Sequence, residues 1–338
     1  MNLARPDFDP ELRLLLGRTP PAPRLTPEPV DRMRRVPPTP VDDRARGRAI
    51  DRREASVPTP DGARVPLSIF SPAGTSRGSG APCVYWIHGG GMVAGDRFMD
   101  IGIPLEWLDR FGAVVASVGY RLAPEVGGMT LVEDCYRGLL WVVEHAEELG
   151  VDPARVIVAG IGAGGGLAAG TALLARDLGA PAIAGQMLLC PMLDHRNDTT
   201  SARRFSGVPM TWTREANEYC WRAVIGDLRD DEVPGYVSPA NARDLAGLPT
   251  AYIDVWSAEV FRDEDVAYAS RIWAAGGQAE LHVWAGGRHG FDALFPHPRI
   301  SAAARRARAG WLDRVLNPIA DAVAASAETR DEAVRLPA

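Results

Sequence analysis

Four short stretches of the chain carry residue types that could do carbonyl chemistry together. The first is His88-Gly89-Gly90-Gly91, directly after the strand-like run CVYWI. Consecutive glycines let backbone N–H groups turn towards one point, the arrangement that stabilises the oxyanion of a tetrahedral acyl intermediate. A plain turn or a phosphate cradle is the competing reading of such a loop taken alone. The second stretch, Gly160-Ile161-Gly162-Ala163-Gly164, lies between an apolar run and a helical one. It has the spacing of the strand-to-helix turn G-x-S-x-G, with Gly162 where the nucleophilic serine would stand. That residue is normally held in a conformation glycine adopts freely, so the turn can survive the loss. A dinucleotide-binding turn competes here too, but no G-x-G-x-x-G with a downstream acidic ribose ligand is evident.

The third and fourth stretches are Glu259 in WSAEVFRDED and His289 in GGRHGF, thirty residues apart and each just past a strand-like run. A carboxylate and an imidazole on neighbouring strand ends can meet, and the carboxylate then fixes the tautomer and stabilises the protonated ring. Taken singly, Glu259 could be a solvated loop acid and His289 an idle loop histidine. Taken in this order with the two glycine loops, they describe one site at one sheet edge.

Such a site needs a sheet to hold it. Short continuous apolar runs at Cys83 to Ile87, Ala113 to Val118, Val156 to Ala159, Met187 to Leu189, Tyr252 to Val255 and Leu281 to Trp284 predict strands buried on both faces. Amphipathic segments at Leu131 to Leu149, Gly164 to Leu178, Asp263 to Ala275 and Ser301 to Leu316 predict helices between and after them. This βαβ rhythm defines an α/β fold with a mostly parallel central sheet covered on both faces. Two β-like runs between Glu54 and Phe70 flank Asp61-Gly62, a hairpin signal, and start the sheet. The Pro- and Arg-rich residues 1–50 read as an N-terminal cap or arm. Residues 51–193 and 249–325 form the core, 194–248 is a cap insertion that breaks the rhythm, and 326–338 is a flexible tail.

Composition excludes several alternatives. The 338 residues carry 37 basic and 43 acidic side chains, and every basic one is arginine. Without lysine there is no lysine Schiff base, no pyridoxal-phosphate anchor and no P-loop lysine. A net charge of -6 with scattered arginines gives no basic stripe, so nucleic acid is not an expected partner. No apolar run reaches the roughly 18 residues of a membrane span and MNLARPDFDPELR lacks a signal-peptide core, so no membrane partner and a cytoplasmic location are expected. Cys83, Cys135, Cys190 and Cys220 lack ligand spacing and read as reduced packing residues, with Cys190 a remote substitute nucleophile. No metal or organic cofactor is expected, because no His/Asp cluster has ligand spacing.

With these residues in place the chain, over roughly residues 50 to 320, resembles the hormone-sensitive lipase family of α/β-hydrolases, the bacterial carboxylesterases with the HGGG motif. Tyr120-Arg121-Leu122-Ala123-Pro124-Glu125, Asp152-Pro153, Cys190-Pro191-Met192-Leu193-Asp194, Asp244-Leu245-Ala246-Gly247-Leu248-Pro249 and Phe261-Arg262-Asp263-Glu264 extend the likeness. The resemblance implies an α/β-hydrolase fold with a helical cap, an oxyanion hole from the N–H groups of Gly90, Gly91 and Ala163, and Glu259 and His289 as acid and base. It implies a small carbonyl or ester ligand and leaves monomer and homodimer open.

The departures cluster at one place. Gly162 replaces the nucleophile, Trp256 replaces a small residue before the acid, Arg288 precedes the histidine, and His195 follows Leu193-Asp194. Together with His88 and Met92 of the first loop, these are the expected pocket residues. Three functions follow: a carboxylesterase with weak or lost hydrolysis, a non-covalent acid/base enzyme (lyase, isomerase or cyclase) working through His289, Glu259 and the oxyanion hole, or a non-catalytic small-molecule binding protein.

Overall fold

The computed structural model describes residues 4–18, 30–31, 34–35, 41, 45, 47–207 and 212–317. The expected tail at 326–338 lies outside the described residues, as does most of the arm between 19 and 46. Eight strands form one sheet: β1 (Ile50–Pro58), β2 (Arg64–Pro72), β3 (Ala81–Ile87), β4 (Val114–Val118), β5 (Val151–Ile161), β6 (Gly185–Leu189), β7 (Ala251–Trp256) and β8 (Ala279–Trp284). Their order is β1-β2-β4-β3-β5-β6-β7-β8. The β1/β2 hairpin closes around Gly62, and β2 also runs antiparallel to β4, whereas every pair from β4 to β8 is parallel.

The inner strands carry no outward polar face. β4, β6 and β7 are buried at every residue, as strands sandwiched between helices must be. The helices in chain order are α1 (Pro10–Leu16), α2 (Gly102–Phe111), α3 (Met129–Glu144), α4 (Ala146–Leu149), α5 (Ala163–Leu178), α6 (Thr200–Arg204), α7 (Arg214–Ile225), α8 (Arg262–Ala274), α9 (Phe291–Leu294) and α10 (Arg299–Leu316). The single helix predicted over Leu131 to Leu149 is broken at His145, whose ring Nδ1 bonds the Trp141 carbonyl (2.8 Å) and whose ring stacks on Trp141. A side chain competing for a backbone acceptor ends the helix there.

Register sets the site. Ile87 on β3 pairs with Gly160 on β5, Leu189 on β6 with Ile161 and Asp254, and Trp256 on β7 with Trp284 on β8. The loops after β3, β5, β7 and β8 therefore open at the same carboxyl edge, where α/β sheets place their ligand sites. The stretch with α6 and α7 reaches this edge through Trp212 and Cys220, which a Cβ on Gly91 would meet at 2.6 and 2.5 Å. From the other side Asp9 N donates to Gly286 O (2.9 Å), and Glu11 pairs with Arg299, which ties α1 to the loop that carries His289 and to α10.

Candidate active site

The strand-to-helix turn after β5 contains two glycines, Gly160 and Gly164, that cannot be replaced without collision. A Cβ at Gly160 would lie 2.2 Å from the Gly164 carbonyl oxygen, and one at Gly164 would lie 2.1 Å from that of Ile87. Between them Gly162 sits at φ 56°, ψ −120°, the left-handed corner between strand and helix. A Cβ built there meets only His289, at 3.5 Å from Cε1 and 3.6 Å from Nε2, with no other neighbour within 4 Å. The position is thus conformationally special and sterically open.

The imidazole across this gap is held from behind. His289 Nδ1 lies 2.8 Å from Glu259 Oε2, and the other carboxylate oxygen accepts the Trp256 backbone N–H (3.1 Å). Glu259 is 1% exposed, and burial raises its pKa above the ordinary carboxylate value while the bond from His289 opposes that rise. With Nδ1 as donor to the carboxylate, Nε2 carries the lone pair and faces the gap. Phe261 meets the ring edge to face (5.4 Å between centroids) and Trp212 lies tilted against it at 5.7 Å, so rotation of the ring is blocked.

The glycine loop after β3 completes the site. Gly90 and Gly91 both have positive φ (101° and 66°), and a Cβ on Gly90 would strike the Ala94 carbonyl at 2.1 Å. Ala163, the first residue of α5, presents an N–H from a helix terminus whose first donors have no intrahelical partner. Gly90, Gly91, Gly162, Ala163 and His289 line one cavity of about 730 Å³, with Val93, Trp212 and Phe261 on its apolar wall. Arg48, Glu106 and Arg305 supply a charged rim in which Arg305 pairs with Glu106.

Five expected pocket residues do not line this cavity. His88 is fully buried, stacked on Tyr120 at 4.2 Å with Nδ1 against the Gly89 carbonyl, and burial lowers its pKa to about 4. It braces the glycine loop from beneath. Met92 is buried, and its carbonyl accepts the Ala123 N–H. Trp256 packs its edge on Phe291 and gives the site only its backbone N–H. Arg288 is buried away from the cavity lining, and burial lowers its pKa. His195 lies under α7, bonded to Ser238 Oγ (3.0 Å) and 3.5 Å from Asp230. Neighbouring residues of a chain point in different directions, so adjacency to a motif in sequence did not place these side chains at the cavity. The wall is instead supplied by Trp212, in the aromatic-rich insertion, and by Phe261, the first residue of the FRDE motif.

Cys190 also approaches the acid and base: its Sγ, a Glu259 oxygen and a His289 ring nitrogen all lie within 4.8 Å of one another. This is the donor set that could hold a cation. Burial pushes the Cys190 thiol well above its usual range, helped by nearby Glu259 and Asp254, and Nδ1 is already engaged by Glu259. As it stands the group is a neutral thiol beside a hydrogen-bonded acid and base.

The sheet, the two glycine loops and the Glu259–His289 pair together define an α/β-hydrolase. Comparison with known proteins agrees. Residues 84–293 match the alpha/beta hydrolase fold family, and the chain belongs to it, in its carboxylesterase branch. It is 32% identical over 290 residues to the carboxylesterase NlhH of Mycobacterium tuberculosis, covering 83% of this chain and 87% of that relative. It is 36% identical over 203 residues to the esterase LipI of the same organism, a match that spans 60% of this chain and 63% of LipI. Among solved structures, a bacterial heroin esterase superposes with a TM-score of 0.81 at 34% identity, covering 92% of this chain and 98% of that one. Among the described residues no helix is long and apolar enough to cross a membrane.

Proposed function

We propose that this chain keeps the carbonyl-binding site of a carboxylesterase, for a small and mostly apolar ester or related carbonyl compound, but has lost the covalent route. The observation that carries this reading is the open corner at Gly162, which has the backbone of a nucleophile turn, faces His289 Nε2, and holds no side chain. Ile161 and Ala163 on either side offer no hydroxyl or thiol. No acyl-enzyme forms, and chemistry proceeds through water.

A water in the gap gives its proton to the lone pair of His289 Nε2 as its oxygen attacks the carbonyl carbon. The Nδ1–H bond to Glu259 stabilises the imidazolium that results. The C=O electron pair moves onto oxygen, which the N–H groups of Gly90, Gly91 and Ala163 receive. Collapse re-forms the carbonyl and expels the alkoxide, which takes the proton back from Nε2. Removal of one triad member leaves about 10³ to 10⁴ over the uncatalysed rate in such sites, so turnover on ordinary esters is slow.

The test is Gly162→Ser, assayed on short-chain p-nitrophenyl esters beside the native chain, with His289→Ala in both backgrounds. Serine should raise kcat/KM by about 10³ or more, and His289→Ala should remove the gain. A folded Gly162→Ser protein with no gain would sink the esterase reading.

A further inference from the structure

We propose that the gap at Gly162 makes the native chain a receptor for free carboxylates, one carboxylate oxygen lying in the N–H nest and the other in the space a serine hydroxyl would fill. This deepens the reading above and rests on it for the nest formed by Gly90, Gly91 and Ala163.

The inference comes from counting atoms at the reacting centre. In a serine enzyme that space holds a covalent oxygen, and a planar acid placed with one oxygen in the nest would drive its second oxygen into the hydroxyl. Here a Cβ at residue 162 would have only the His289 ring within 4 Å, at 3.5 to 3.6 Å, so the space where a hydroxymethyl group would start is open towards that ring. A carboxylate presents two oxygens on one carbon, so it satisfies both halves of the site with no covalent bond. An ester, an amide or an alcohol cannot present two equivalent anionic acceptors.

The partners match this ligand on each side. The nest offers backbone donors at fixed positions, which cost no side-chain entropy to order. His289 offers Nε2 once protonated, and Glu259 on Nδ1 supports the charged ring. The imidazolium then faces the ligand in front and Glu259 behind, with the Cys190 thiol also close by. The rest of the ligand meets Val93, Trp212 and Phe261, an apolar wall suited to an acyl or aryl group. The ligand class is therefore a monocarboxylic acid with a short to medium apolar tail. In an active esterase this molecule is the product and must leave; without the serine nothing in the gap expels it.

Isothermal titration of the full chain with hexanoate and benzoate tests this, with hexanamide and hexanol as matched neutral probes. Hexanoate should bind at least about tenfold more tightly than either neutral probe, the loss expected when a charge-assisted hydrogen bond is removed. Gly162→Ser should weaken hexanoate about tenfold, because its hydroxyl takes the second oxygen's place, and His289→Gln should weaken it similarly; circular dichroism melts check folding. Equal affinity for acid and amide, or undiminished binding by a folded Gly162→Ser protein, would overturn the proposal. If Gly162→Ser loses hexanoate and gains no ester turnover, carboxylate binding stands and the esterase reading fails. If it gains turnover and still binds hexanoate fully, the reverse holds.

Discussion

The two halves of the site are held by different kinds of force. The half on β3 and β5 is backbone: Gly90, Gly91, Gly162 and Ala163 present main-chain groups, and the turns that hold them are fixed because a Cβ at Gly90, Gly160 or Gly164 would lie 2.1 to 2.2 Å from a carbonyl oxygen. The half on β7 and β8 is side chain: Glu259 and His289 are set by their 2.8 Å hydrogen bond, by the Trp256 N–H on the other carboxylate oxygen and by the rings of Phe261 and Trp212. A site of the first kind keeps its shape when one side chain is deleted from it, since shape never depended on that side chain. A site of the second kind loses its chemistry on a single atom change. Gly162, where a Cβ would meet nothing closer than 3.5 Å, is therefore a position at which a side chain can be present or absent without rearrangement of the turn.

The sharpest way to probe the contrast is Glu259→Gln in the Gly162→Ser background. The amide cannot accept the Nδ1–H bond with its nitrogen, so the imidazole loses its preferred tautomer while the packing is nearly unchanged. A fall in kcat of about 10⁴, with little change in KM, is expected from steady-state kinetics, by analogy with the carboxylate-to-amide change in serine triads. A fall under tenfold would mean that the side-chain half does not depend on this hydrogen bond.

On the backbone half the contrast is between two alanines. Gly164→Ala places a methyl 2.1 Å from the Ile87 carbonyl and 2.4 Å from that of His88, contacts that only a shift of helix or strand can relieve. It should destabilise by more than about 3 kcal/mol in urea titration, at the upper end of overpacking costs. Gly162→Ala meets nothing closer than 3.5 Å and pays only for its positive φ, about 1 to 2 kcal/mol. Equal losses would show that steric exclusion is not what fixes this half.

The same division explains what could be read from sequence. The sheet was legible because two-sided burial leaves continuous apolar runs: the predicted strands lie within observed ones, except that Ala113 falls just before β4, and β8, expected to be buried on both faces, is an edge strand with no fully buried residue. Gly162, Glu259 and His289 were legible because each follows a strand directly, and strand ends share an edge. The cavity wall was not. His88, Met92, Trp256, Arg288 and His195 are each next to a motif, yet backbone direction turns each side chain into packing instead. Trp212 reaches the site from an insertion whose path depends on tertiary packing, and no local periodicity encodes that.

The smallest effect concerns a buried carboxyl close to the side-chain half. Asp265 is fully buried on α8, and neither of its carboxylate oxygens has a hydrogen-bond partner among the described residues. Burial, with Glu264, Glu259 and Asp254 nearby, raises its pKa well above the ordinary carboxylate value. A carboxyl whose folded pKa is raised holds its proton in the native state after the unfolded chain has released it. Stability then falls as pH rises from the unfolded carboxylate value, near 4, towards the folded one, and stays low above it. Asp265→Asn removes that slope and keeps the shape. The variant's melting temperature should therefore gain on the native chain as pH goes from 5 to 8. Loss of stability that grows with pH would mean that the ionised carboxylate is stabilising, and that the acids behind Glu259 support the site instead of straining it.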